Sequence, residues 1–168
     1  MAIDPAFALA EHVVRTRFED LPRSAIIATS RDVQDTFGCI LGGSGAPGID
    51  DIFALLDEWG GQPESRVLLR DRALPAPHAA MINASMGHAL DFDDTHDTAG
   101  SIHPGISVLA ASLAMADRLG GISGRDLVLA VTLGLDISCH VGSRLASHGG
   151  HRRFRRDRGS RQAAGADT

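Results

Sequence analysis

Apolar residues recur every three to four positions along most of the first 141 residues, the period of helices that bury one face. Phe7, Leu9, Ala10, Val13, Val14 and Phe18 mark a first helix over residues 7–18. Pro22 opens a second, since proline is well accommodated in a first helical turn. Its inward stripe is Ile26, Ile27, Val33, Phe37, Ile40 and Leu41, and the glycine-rich run 42–48 stops it. A third helix, capped by Asp50 or Asp51, reaches Trp59 and ends at Gly60-Gly61. Helix resumes from Pro75 to Leu90, with Ala79, Met81, Ile82, Met86 and Leu90 apolar, and again from Pro104 to Leu119, closed by Gly120-Gly121. Ser123 and Asp126 stand at capping-box spacing before a last helix that runs through Val141. Arg66–Arg70 is the one strand-like piece, and a single short strand makes no sheet. The pattern predicts a compact all-α, multi-helix domain over residues 1–146.

Composition agrees with this and narrows the compartment. At 168 residues, 43% hydrophobic and 22% charged, the chain is expected to be soluble and globular, with one core. No apolar run is expected to reach the roughly 18 residues of a membrane span, and no secretory leader is evident. A cytoplasmic protein with no membrane partner is the expectation. Cys39 and Cys139 lie 100 residues apart in apolar helical contexts and read as reduced core thiols.

Charge divides the chain in two. Residues 1–143 carry 9 Arg against 19 acidic residues, whereas residues 144–168 carry 7 Arg against 2 Asp. Lysine is absent throughout. An acidic body argues against nucleic acid as a partner, because phosphate binding needs a basic face. Residues 147–168 hold a single large apolar residue, Phe154, and no helical period, so this Arg-rich tail reads as disordered or frameshifted.

The chemistry concentrates in His88-Ala-Leu-Asp91-Phe-Asp93-Asp94-Thr95-His96-Asp97, with His103-Pro104 shortly after. Four carboxylates and two imidazoles within ten residues resist burial together, so a hydrophobic core would not select them. If helix continues through the segment, His88, Asp91 and Thr95 share a face, Asp94 lies near it and Asp93 points elsewhere. Phe92 would then turn back and anchor the segment in the core. That face suits proton transfer or a polar substrate. Pro104 restricts His103 to extended backbone at the mouth of a helix, where its imidazole can face a pocket. His12 and His78 read as surface residues, His140 as helix packing, and His96 and Asp97 as loop. Asn83 either lines a cavity or bonds locally. No metal is assigned: there is no H-E-x-x-H, no paired-cysteine motif and no calcium loop. The Gly42–Gly48 run lacks a phosphate-loop pattern.

The run from Asn83 through H-A-L-D-F-D-D-T to Thr95, followed by His103-Pro104, resembles the MmgE/PrpD family, which includes 2-methylcitrate dehydratase and cis-aconitate decarboxylase. The likeness covers roughly residues 5–146. It implies an N-terminal helical domain, a polycarboxylate substrate, no cofactor (in particular no iron–sulfur cluster) and a homodimer in the full-length family. By the same resemblance Asp91, His103 and Thr95 are catalytic candidates, and His88, Asp94 and Asn83 substrate-binding ones. The implied reaction is proton removal beside a carboxylate with loss of water, from 2-methylcitrate or a related acid. Decarboxylation of a cis-aconitate-type acid or an isomerisation is the alternative. The family's further histidine-proline motif and its lysine have no counterpart here, so weak or no catalysis by the chain alone is expected. Two other classes compete: a non-catalytic helical module whose acidic patch binds a basic partner, and a metal-dependent hydrolase.

Overall fold

The computed structural model describes residues 4–97 and 102–145, with the side chains of residues 144 and 145 left aside. The Arg-rich tail lies outside the described residues. Six helices account for most of the remainder: α1 (Pro5–Arg15), α2 (Arg23–Gly43), α3 (Ile49–Trp59), α4 (Ala76–His88), α5 (Pro104–Leu119) and α6 (Gly124–Leu145). Two-residue strands β1 (Ser65–Arg66) and β2 (Ala73–Leu74) pair antiparallel. The strand-like segment at Arg66 therefore has a partner, in a hairpin too small to alter the all-α architecture.

Local chemistry accounts for the helix ends. Asp4 accepts from the Ala6 amide to start α1, which stops earlier than its apolar pattern predicts. There the Thr16 hydroxyl donates to the His12 carbonyl, and Phe18 falls in a separate 3-10 turn. At α6 the expected capping box is present: the Ser123 and Asp126 side chains accept from each other's backbone amides, each at 3.2 Å.

The central helix is α4. It packs on α2, α3, α5 and the hairpin, and its Ala79, Ile82 and Met86 meet Ile40, Ile49, Leu56, Val67, Leu74 and Ile106 in one buried cluster. Glycine permits the tightest approach. A Cβ on Gly43 would stand 1.9 Å from the Met86 carbonyl oxygen, so only hydrogen lets α2 and α4 meet there. The predicted stripe of α2 needs correction, because Ile27 and Leu41 are exposed whereas Thr29 and Thr36 are buried. Thr29 faces α6, where its hydroxyl lies 2.8 Å from that of Thr132.

Helix α6 also departs from expectation. Its Gly124–Ser143 stretch has a mean hydropathy of 1.3 and is long and apolar enough to cross a membrane by length and composition alone. The averaged hydropathy conceals an acidic residue at mid-helix. Asp136 lies 3.0 Å from His12 of α1 and 3.1 Å from His140, and the helix packs on α2 and α5. Cys39 and Cys139 are free and only partly buried.

Candidate active site

The segment after α4 does not continue as helix. The last helical residue is His88, and Asp91 adopts a left-handed backbone with φ 56° while its amide donates to the His88 carbonyl. Further helix would have stacked three carboxylates against the negative end of the α4 dipole, and aspartate tolerates the left-handed turn better than most residues. The reversal changes which groups meet. Phe92 is 77% exposed and anchors nothing, contrary to the helical expectation. Asp93, expected to point away, turns inward, and its side chain is fully buried.

Two imidazoles flank that buried carboxylate. His88 Nδ1 lies 3.0 Å from each Asp93 oxygen, and His103 Nδ1 lies 3.4 Å from Oδ2. The two rings are 4.9 Å apart, edge to face. His103 Nε2 is 4.0 Å from Asp91 Oδ1, on a side chain that is 79% exposed. Asp93 is thus placed to hold His103 while the opposite edge of that ring looks toward Asp91. Of the residues proposed from sequence, Asp91, His103 and His88 come together here.

Asp94 and Thr95 face a different space. A cleft of about 1030 Å³ lies between α2, α6 and the α4–α5 loop, lined in part by Asp32, Asp94, Thr95, Pro104, Thr132 and Asp136. Asp91 and His103 do not line it. Asp94 Oδ1 accepts from the Gly105 amide at 2.9 Å, capping α5. Burial raises the Asp94 pKa despite that bond, and Asp93 and Asp35 add to the rise. Across the cleft, burial pushes Asp32 to about 6, helped by Asp94 and Asp35. Asp32 Oδ2 is sheltered and has no hydrogen-bond partner. Sequence reading missed Asp32, although it follows Thr29 by three and precedes Thr36 by four on one face of α2.

Asn83 is absent from either group. Its buried amide accepts from the Leu68 N–H at 2.9 Å and donates to the Arg66 carbonyl at 3.2 Å, clamping the hairpin onto α4. His96 closes the loop through its backbone, its N–H donating to the Ile102 carbonyl at 2.9 Å. His12 is exposed, as expected, but bonded to Asp136, and His140 joins that pair. His78 sits 6.0 Å from the Trp59 ring.

An all-α domain that gathers imidazoles and carboxylates where one helix breaks and the next begins defines a class: helical domains with an ionisable cluster on an interhelical loop. The chain belongs to the MmgE/PrpD family, whose N-terminal domain matches residues 8–156. It is 26% identical over 141 residues to the cis-aconitate decarboxylase-like protein oryM of Aspergillus oryzae, a match covering 80% of this chain and 29% of that protein. It is 38% identical over 80 residues to the cis-aconitate decarboxylase of Homo sapiens, covering 46% of this chain and 15% of that enzyme. The Mus musculus enzyme gives 39% over 70 residues, 40% and 14% of the two chains. The chain thus spans less than a third of the length of the curated relatives it matches.

Proposed function

We propose that this chain is the helical part of a cytoplasmic, homodimeric lyase that transfers a proton to or from a carbon beside a carboxylate of a small polycarboxylic acid. The observation that carries the reading is His103, with Nδ1 3.4 Å from buried Asp93 and Nε2 4.0 Å from exposed Asp91. An imidazole so placed can pass a proton between Nε2 and a substrate carbon or oxygen, and Asp91 can serve as its partner. In dehydration, the electrons of the broken C–H bond form the C=C bond and hydroxide departs with a proton from the acid. In decarboxylation, CO₂ leaves and the electron pair it leaves behind takes a proton at carbon. The names of the relatives favour decarboxylation of cis-aconitate; dehydration of 2-methylcitrate is the second reading.

The carboxylates around the site repel an anionic substrate. Binding by the chain alone is therefore expected to be weak. The test is heteronuclear NMR with cis-aconitate or 2-methylcitrate, together with a turnover assay. Supporting results are shifts at Asp91 and His103 that vanish in His103→Ala, and any turnover lost in Asp91→Asn. A ligand that shifts only residues distant from the α4–α5 loop, or turnover unchanged in Asp91→Asn, would sink the proposal.

A further inference from the structure

We infer that His88, Asp93, His103 and Asp91 form a binding site for a borderline divalent ion of the zinc class. One ligand atom from each of the four lies within 4.8 Å of the others. The closer spacings carry more weight. Zinc bonds of 2.0–2.1 Å in a tetrahedron set neighbouring ligand atoms about 3.3 Å apart. The observed separations are 3.0 Å from His88 Nδ1 to Asp93 and 3.4 Å from His103 Nδ1 to Asp93. Two ligand-to-ligand separations thus lie close to the edges of a zinc polyhedron before any metal enters.

Two further observations point to a cation. The Asp93 side chain is fully buried, yet its ion-pair partners among the described residues are the two imidazoles, with no guanidinium. His103 Nδ1 is itself sheltered and has no hydrogen-bond partner among the described residues. A divalent ion answers both needs, because it neutralises Asp93 and uses both nitrogens as acceptors. Two imidazoles with one carboxylate are a ligand set suited to zinc, cobalt or nickel rather than magnesium. Asp91 follows the left-handed turn, is exposed and can swing in to close a fourth position. Alternatively a water or the carboxylate of a small acid takes that position.

No spacing rule reveals this set, since His88 and Asp93 meet only because the chain reverses at Asp91. The inference does not rest on the lyase reading, because binding is measured directly. Where lyase activity is present, bound metal withdraws Asp91 and His103 from proton transfer and inhibits.

The experiment is a zinc titration of the purified 168-residue chain against a chromophoric chelator, repeated with cobalt to read coordination from its d–d absorption. One equivalent bound with a dissociation constant on the order of micromolar, and an intense four-coordinate cobalt spectrum, support the site. The double variant His88→Ala/His103→Ala is expected to weaken binding by about 100-fold or more. In case that variant fails to fold, zinc-induced ring shifts in the unaltered chain provide the decision: they must fall on His88 and His103. His12→Ala/His140→Ala, which removes the other two imidazoles that flank one carboxylate, must leave binding unchanged. Affinity no tighter than millimolar overturns the inference. So does tight binding that survives the His88/His103 replacement, or ring shifts confined to other histidines.

Discussion

Replacing Asp32 by asparagine is expected to stabilise the fold near neutral pH and to lose that advantage in mild acid. Asp32 is half-buried on α2, with Asp94 and Asp35 facing it, and Asp136 and Cys139 of α6 lining the same cleft. Its pKa is raised from 3.8 to about 6, first by burial and then by those two carboxylates. Between these values the native chain keeps the proton that the unfolded chain has released. Stability therefore falls as pH rises through that window and stays lowered above it. A shift of about 2 units corresponds to ~3 kcal/mol for a fully sheltered group. Solvent screening of a half-exposed side chain reduces this to about 1 kcal/mol, or roughly 3 °C in Tm. Thermal melts by far-UV circular dichroism, taken between about pH 4 and 8, give the comparison. The variant should melt higher near pH 8 and together with the parent near pH 4, and Asp94→Asn should shrink the difference. A gap that is constant across the range, or a variant less stable at the alkaline end, refutes the argument.

Glycine substitutions test the packing of α2. Gly43→Ala forces a Cβ to within 1.9 Å of the Met86 carbonyl oxygen and should lower stability in urea by about 2–3 kcal/mol. Gly38→Ala on the same helix meets nothing within 4 Å and should raise it by about 0.5–1 kcal/mol. Asn83→Ala abandons the buried Leu68 amide and Arg66 carbonyl and should cost about 2–4 kcal/mol. By the same geometry, calorimetric affinity for a tricarboxylate should not change. Ser123→Ala removes the first cap of α6 and should lower the melting free energy by about 1 kcal/mol.

The helices were legible because their signals are local. Apolar spacing, prolines at first turns and glycine pairs at the ends mark the elements within a few residues, and six helix cores stand where the pattern put them. The interior faces were less legible. Thr29, Thr36 and Asp32 are polar, so a hydrophobic stripe passes over them, although Thr29 is buried against the Thr132 hydroxyl. For Asn83 the sequence leaves a cavity-lining role and local bonding open, and its amide clamps the hairpin. The hairpin itself pairs residues seven and nine apart through strands too short to leave a period.

The acid–base cluster was legible as composition and illegible as geometry, and the reason is one backbone dihedral. Helical spacing groups His88 with Asp91 and Thr95 and leaves Asp93 outside. With φ at 56°, Asp91 reverses the chain, so Asp93 drops between His88 and His103 while Asp94 and Thr95 turn to the cleft beside Asp32. A single motif thereby supplies two neighbouring environments. In one, a buried carboxylate stands between two imidazoles, the arrangement proposed above for proton transfer and for a cation. In the other, burial raises the pKa of Asp32, and Asp94 and Asp35 stand close enough to raise it further. Asp93 and Asp94 are adjacent in sequence yet serve opposite sides, so their asparagine variants should separate in effect. Loss of Asp93 charge should release both imidazoles, and loss of Asp94 charge should ease Asp32 and leave the imidazoles in place.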